Sequence, residues 1–200
     1  MLKYYFSIEL VKNEYLNGLI LALIMTIIIF ISIIIIGWLI NKLEIAQIEL
    51  LSKLTGPKFA NIFFNRVLFL GTIIHELSHA LFATLSGAKV TKIKLFNFKD
   101  DVLGYVNYMT QGNKLKQAFQ MSLTSCAPTV TGISIDIFVV WYMLNFKTNI
   151  ATKLLLIFVL LCVTDHMSMS NLDIKNYIKG FAGYAILATS LNYLLFLIFM

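Results

Sequence analysis

The chain has 200 residues, of which 59% are hydrophobic and only 13% charged. That charged share is about half of what an ordinary soluble domain carries, so a water-facing surface could not be coated. Lys and Arg (16) outnumber Asp and Glu (10), giving a formal charge of +6. The basic residues sit mostly between apolar runs, where they orient a chain in a bilayer, and no basic stripe interleaved with exposed aromatics supports nucleic-acid binding.

The expected architecture is an all-α polytopic membrane protein, a single domain over residues 1–200 surrounded by lipid bilayer. The first apolar run, residues 18–40, exceeds the apolar core of a secretory signal and lacks a small-residue cleavage site after it. It is read as a retained transmembrane helix. Ahead of it, Lys3, Glu9, Lys12 and Glu14 among aromatics suit a segment lying along the interface. Residues 41–58 are more polar, read as an amphipathic stretch that ends at the Gly56-Pro57 breaker. A second span is predicted over residues 62–85, stopped by Ser86-Gly87.

The texture then changes. Residues 90–98 and 102–109 are rich in Val, Ile, Phe and Tyr and flank Lys99-Asp100-Asp101, which predicts a small β-hairpin. Further spans are predicted over residues 118–144, 154–170 and 181–200, about five in all. Cys126 and Cys162 fall in apolar segments and are read as buried, inert thiols. The loop after the second span holds Lys89, Lys92, Lys94, Lys99, Lys114 and Lys116, the densest basic cluster. Positive charge marks the cytoplasmic side, although Lys42, Lys53, Lys58 and Arg66 before that span pull the other way.

The chemistry concentrates in His75-Glu76-Leu77-Ser78-His79, inside the second span. Histidines at i and i+4 lie one above the other on a helix face and can grip one Zn²⁺. Glu76 beside them can take a proton from a water held by the metal and pass it to a leaving amine. Ionisable groups in hydrocarbon are costly and default to function, and two of the three histidines of the chain occur here. A catalytic zinc needs a third protein ligand and an open position. Asp136 in the third span, and Asp165, His166 and Asp173 on or just after the fourth, are the candidates. The motif lies roughly 10–15 Å from the inner end of its span, and Asp173 lies at the inner end of the fourth. Tilt or unwinding of the fourth helix would bring the two depths together. Ser168, Ser170 and Asn171 are candidate partners that orient Asp173. His166 is a candidate oxyanion partner, and Pro128 a candidate helix breaker.

The run Gly71-Thr72-Ile73-Ile74-His75-Glu76-Leu77-Ser78-His79-Ala80-Leu81, followed by Gly87-Ala88-Lys89-Val90 and Ile93-Lys94-Leu95-Phe96, resembles the site-2 protease family of intramembrane zinc metalloproteases. Residues 125–132, Ser-Cys-Ala-Pro-Thr-Val-Thr-Gly, are similar to that family's proline-containing stretch. The resemblance covers roughly residues 62–177 and leaves residues 1–61 as an N-terminal helix and polar loop. It implies zinc held by His75, His79 and an aspartate from a later span, with Asp173 favoured, and Glu76 as the catalytic base. Many members carry that aspartate in Asn-Pro-x-x-Asp-Gly, whereas Ser170-Asn171-Leu172-Asp173 here has neither Pro nor Gly. The implied substrate is a membrane-spanning or membrane-associated peptide. The implied site lies nearer the cytoplasmic side of a bacterial or archaeal cell membrane. The alternative is a zinc-binding membrane protein without protease activity, such as a transporter.

Overall fold

The computed structural model describes residues 8–95 and 103–199. Its first helix, α1 (Glu14–Thr55), starts at Asn13, whose side chain accepts from the Leu16 N–H. At 42 residues it is about 63 Å long, roughly twice the hydrocarbon thickness. The predicted span at 18–40 is therefore only part of it. Residues 41–55 hold no Gly or Pro and many good helix formers, so the helix runs on until Gly56, where φ is +90°. Along α1, Ile27, Ile28, Ile31 and Ile35 are all exposed, a surface that suits lipid rather than water.

Pro57 opens a short helix, α2 (Pro57–Ile62), followed by a π-helical turn at Phe63–Val67 and then α3 (Phe69–Leu85). The predicted continuous span at 62–85 is thus broken, with the two parts bent by 48°. The break is a widened turn in which the Leu68 N–H reaches back to the Phe63 carbonyl at 3.1 Å. No Gly or Pro marks it.

The hairpin pairs β1 (Lys89–Lys94) antiparallel with β2 (Tyr105–Met109), in register from Lys89 opposite Met109 to Lys94 opposite Tyr105, with an irregularity between Val90 and Lys92. The predicted strand residues 96–98 and 102, and the turn at 99–101, lie outside the described residues.

α4 (Lys114–Asn145) begins at Asn113, which caps the Lys116 N–H, and passes through Pro128 unbroken. α5 (Ile150–His166) gives way at residues 167–170 to α6 (Asn171–Lys179), bent away by 67°. α7 (Phe181–Phe199) completes the bundle. The fourth predicted span therefore starts earlier than residue 154 and unwinds at the expected end.

Three helices, α1, α4 and α7, are each long and apolar enough to cross a bilayer, and five spans result if each bent pair counts as one. The fold class is the expected one: a helical bundle with three to five candidate spans and one small antiparallel sheet. Phe30 joins α1 to the rest by stacking on Tyr177 at 4.3 Å between ring centroids, with Cys126 and Met169 in the same buried cluster. Both cysteines are buried and free.

Candidate metal centre

α3 stacks His75 above His79, and their Nε2 atoms stand 3.1 Å apart. Each ring is oriented by a backbone carbonyl that its own helix leaves free. His75 Nδ1 lies 2.6 Å from the carbonyl oxygen of His166. His166 is the last residue of α5, so its carbonyl has no partner further along that helix. His79 Nδ1 lies 2.8 Å from the carbonyl oxygen of Thr124. Four residues later stands Pro128, which has no N–H to give to that carbonyl. A neutral imidazole donating Nδ1–H keeps its Nε2 lone pair for a metal, so the two carbonyls fix both tautomer and aim.

Asp173 arrives from α6 through a capping box. The Ser170 hydroxyl accepts from the Asp173 N–H at 3.1 Å. Asp173 Oδ2 accepts from the Ser170 N–H at 3.1 Å and from its hydroxyl at 2.5 Å. This reciprocal pairing satisfies the start of α6 and turns Oδ1 toward His79 Nε2, 3.7 Å away. Ligand atoms on a tetrahedral zinc with bonds of about 2.0–2.1 Å stand roughly 3.3 Å apart. The spacings of 3.1 and 3.7 Å bracket that value, and all three donor atoms lie within 4.8 Å of one another. Two imidazoles and one carboxylate are a donor set that fits catalytic zinc.

Two glycines permit the assembly. A Cβ on Gly71 would fall 1.9 Å from the Cys162 carbonyl oxygen, so α3 and α5 touch one turn before His75 and bring it to His166. A Cβ on Gly104 would fall 2.8 Å from Glu76 Cγ, so the hairpin backbone just before β2 lies against the side chain of Glu76. Glu76 itself is 8% exposed. Further along β2, Tyr108 sits beside Ser125, and burial raises its phenol above the usual value, with the charge of Asp173 adding to the rise. Its hydroxyl stays protonated as a donor.

Residues 68–176 match the model of a family described as "Putative zincin peptidase". The chain belongs to this family. No curated protein and no solved structure matches it. Zincins are zinc peptidases, so the family implies the same metal that the geometry accommodates, and the matched segment of this zincin runs from before His75 to beyond Asp173.

The zincin's other candidate ligands stand apart from the donor group. Asp136 Oδ2 accepts from the Thr164 hydroxyl at 2.9 Å, joining α4 to α5. Asp165 is buried on α5 near Glu44. The His166 imidazole lies 3.1 Å from the Cys162 carbonyl oxygen of its own helix, and its backbone carbonyl is what bonds His75. Of the expected partners of Asp173, Ser170 bonds it, whereas Ser168 donates instead to Glu44 Oε2 at 3.0 Å. Nothing in the sequence pointed to Glu44, 124 residues away. The Thr124 carbonyl had a signal, a proline four residues on, that names the free acceptor without naming its donor.

Proposed function

We propose that this zincin is an intramembrane endopeptidase of the site-2 protease kind, cleaving membrane-spanning or membrane-associated peptides. His75, His79 and Asp173 hold Zn²⁺ in this reading, and Glu76 is the catalytic base. The observation that carries it is the convergence of two carbonyl-aimed Nε2 atoms and one capped carboxylate within 4.8 Å, on helices apolar enough to lie in a membrane.

When bound, zinc supplies a Lewis acid that polarises a carbonyl and brings the pKa of water toward about 7. Glu76 takes the proton of the attacking water and returns it to the amine nitrogen as the C–N bond breaks. The Nδ1–H bonds to Thr124 and His166 hold the imidazoles still through that exchange.

A helical substrate hides its carbonyls in internal hydrogen bonds, so it must be unwound before attack. β2 supports an edge-strand route. Its partner β1 occupies one side. A cleft of about 540 Å³ lined by residues 106–110, Met121 and Asn176 lies along it. An extended segment added there would run beside Gly104 and Glu76. The lysine-rich segment around the hairpin supports a site nearer the cytoplasmic face.

The test is hydrolysis by the full chain in lipid vesicles. Glu76→Gln should lower kcat by about 10²–10⁴-fold while near-stoichiometric zinc is retained, and the variant should trap its substrates in cells. A Glu76→Gln form that cleaves as well as the parent would overturn the peptidase reading.

A further inference from the structure

Glu44 projects from the late part of α1, outside the residues that match the zincin family. It nevertheless lines one cleft together with His75, Glu76, Gly104, His166 and Ser168. The cleft is about 250 Å³, room for roughly eight waters. That suits the head and stem of one side chain or a chain end, and it is too small for a folded segment.

Among the described residues one hydrogen bond engages the Glu44 carboxylate, the Ser168 hydroxyl donating to Oε2 at 3.0 Å. The charged group acting on it is Asp165, which has the same sign. Among the described residues, no cationic side chain is paired with it. A carboxylate drawn half out of water with a like charge as neighbour lacks the partner that such groups ordinarily require. The same cleft holds His75 and Glu76, which meet the substrate in the peptidase reading.

We propose that Glu44 determines specificity, its carboxylate pairing with an organic cation on the substrate close to the bond that is cut. The inference rests on the peptidase reading and adds a preference that the metal and its base do not supply. The cation can be a chain's own α-ammonium or the head of a Lys or Arg side chain. A free amine would make the enzyme trim from an end, and a side chain would make it cut internally beside a basic residue.

The experiment uses the zinc-loaded full chain in detergent with a randomised peptide library, prepared with free and with acetylated N-termini, and products read by mass spectrometry. The wild type should favour peptides with a cation near the cut over neutral ones by about 10- to 100-fold in kcat/KM. Loss of that preference on acetylation identifies the α-ammonium, and its persistence with Lys or Arg beside the cut identifies the side chain. Glu44→Gln keeps an acceptor for Ser168 and should collapse the ratio of cationic to neutral cleavage at unchanged zinc content. Glu44→Lys should shift the preference toward Asp or Glu. The same ratios should appear as binding to the inactive Glu76→Gln form. An unchanged product profile in Glu44→Gln would overturn this inference alone. Failure of the zinc-loaded wild type to cut any peptide would overturn the peptidase reading and this inference with it.

Discussion

Replacing Pro128 with Ala should leave the stability of the bundle nearly unchanged and weaken the metal site. Pro128 lies inside α4, where a proline removes one helical hydrogen bond and crowds the carbonyl four residues back, at a cost of about 3 kcal/mol in an exposed helix. Here that carbonyl is Thr124, and His79 Nδ1 takes it at 2.8 Å, so part of the loss is already offset. Alanine would restore the helical bond, worth about 1–2 kcal/mol, but Pro128 is fully buried and the lost ring methylenes take back a similar amount. The restored N–H would draw the carbonyl back along the helix axis and away from the imidazole. Loss of such an outer hydrogen bond lowers metal affinity by about 10- to 100-fold. A carbonyl has two lone pairs and can be shared, which points to the lower end, about tenfold. Thermal unfolding of the metal-free protein in detergent reads the first effect, and chelator competition for zinc reads the second. Unchanged zinc affinity would refute the idea that Pro128 serves His79 by freeing Thr124.

Ser170→Ala removes the hydroxyl that accepts from the Asp173 N–H and donates to Asp173 Oδ2, leaving the backbone N–H of residue 170 as the one bond of the capping box that aims Asp173. Zinc affinity should fall about tenfold, the helix start should lose about 1 kcal/mol, and Ser170→Thr should restore both when measured by the same competition assay. Edge-strand docking predicts that proline placed in turn at each position of Tyr105–Met109 should depress cleavage at one or more of them while zinc content stays constant. Undiminished cleavage at every position would remove β2 from the substrate path.

How much of this was legible in the sequence depends on the range of the interactions. The two histidines and Glu76 were readable because i, i+4 geometry is local. The helical class and the number of candidate spans followed from apolar runs, which need no knowledge of partners. Asp173 was one of several candidates by residue type and was favoured through the family resemblance, since its approach depends on a 67° bend between α5 and α6 whose angle no local pattern marks. A local sign was present, for Ser170 and Asp173 stand three apart as a capping box requires. That pairing shows how a helix start can present a carboxylate without the Pro and Gly common in the resembling family. The break before α3 had no such sign, because a π turn at Phe63–Val67 forms from residues that would equally continue an α-helix. Glu44 was invisible for a different reason. A polar residue on a long helix reads as solvated until the fold brings it to Ser168.

The donor set also has an order in time. His79 and Asp173 are 94 positions apart by subtraction of their numbers, and a ribosome adds about 5–20 residues per second. For roughly 5–20 s the growing chain therefore owns two imidazoles without the Asp173 carboxylate, and for nearly as long without the His166 carbonyl that aims His75. The His166 carbonyl and the capped Asp173 come into being together, at the α5–α6 bend. A chain whose synthesis halts before that bend carries the motif without the three-donor group.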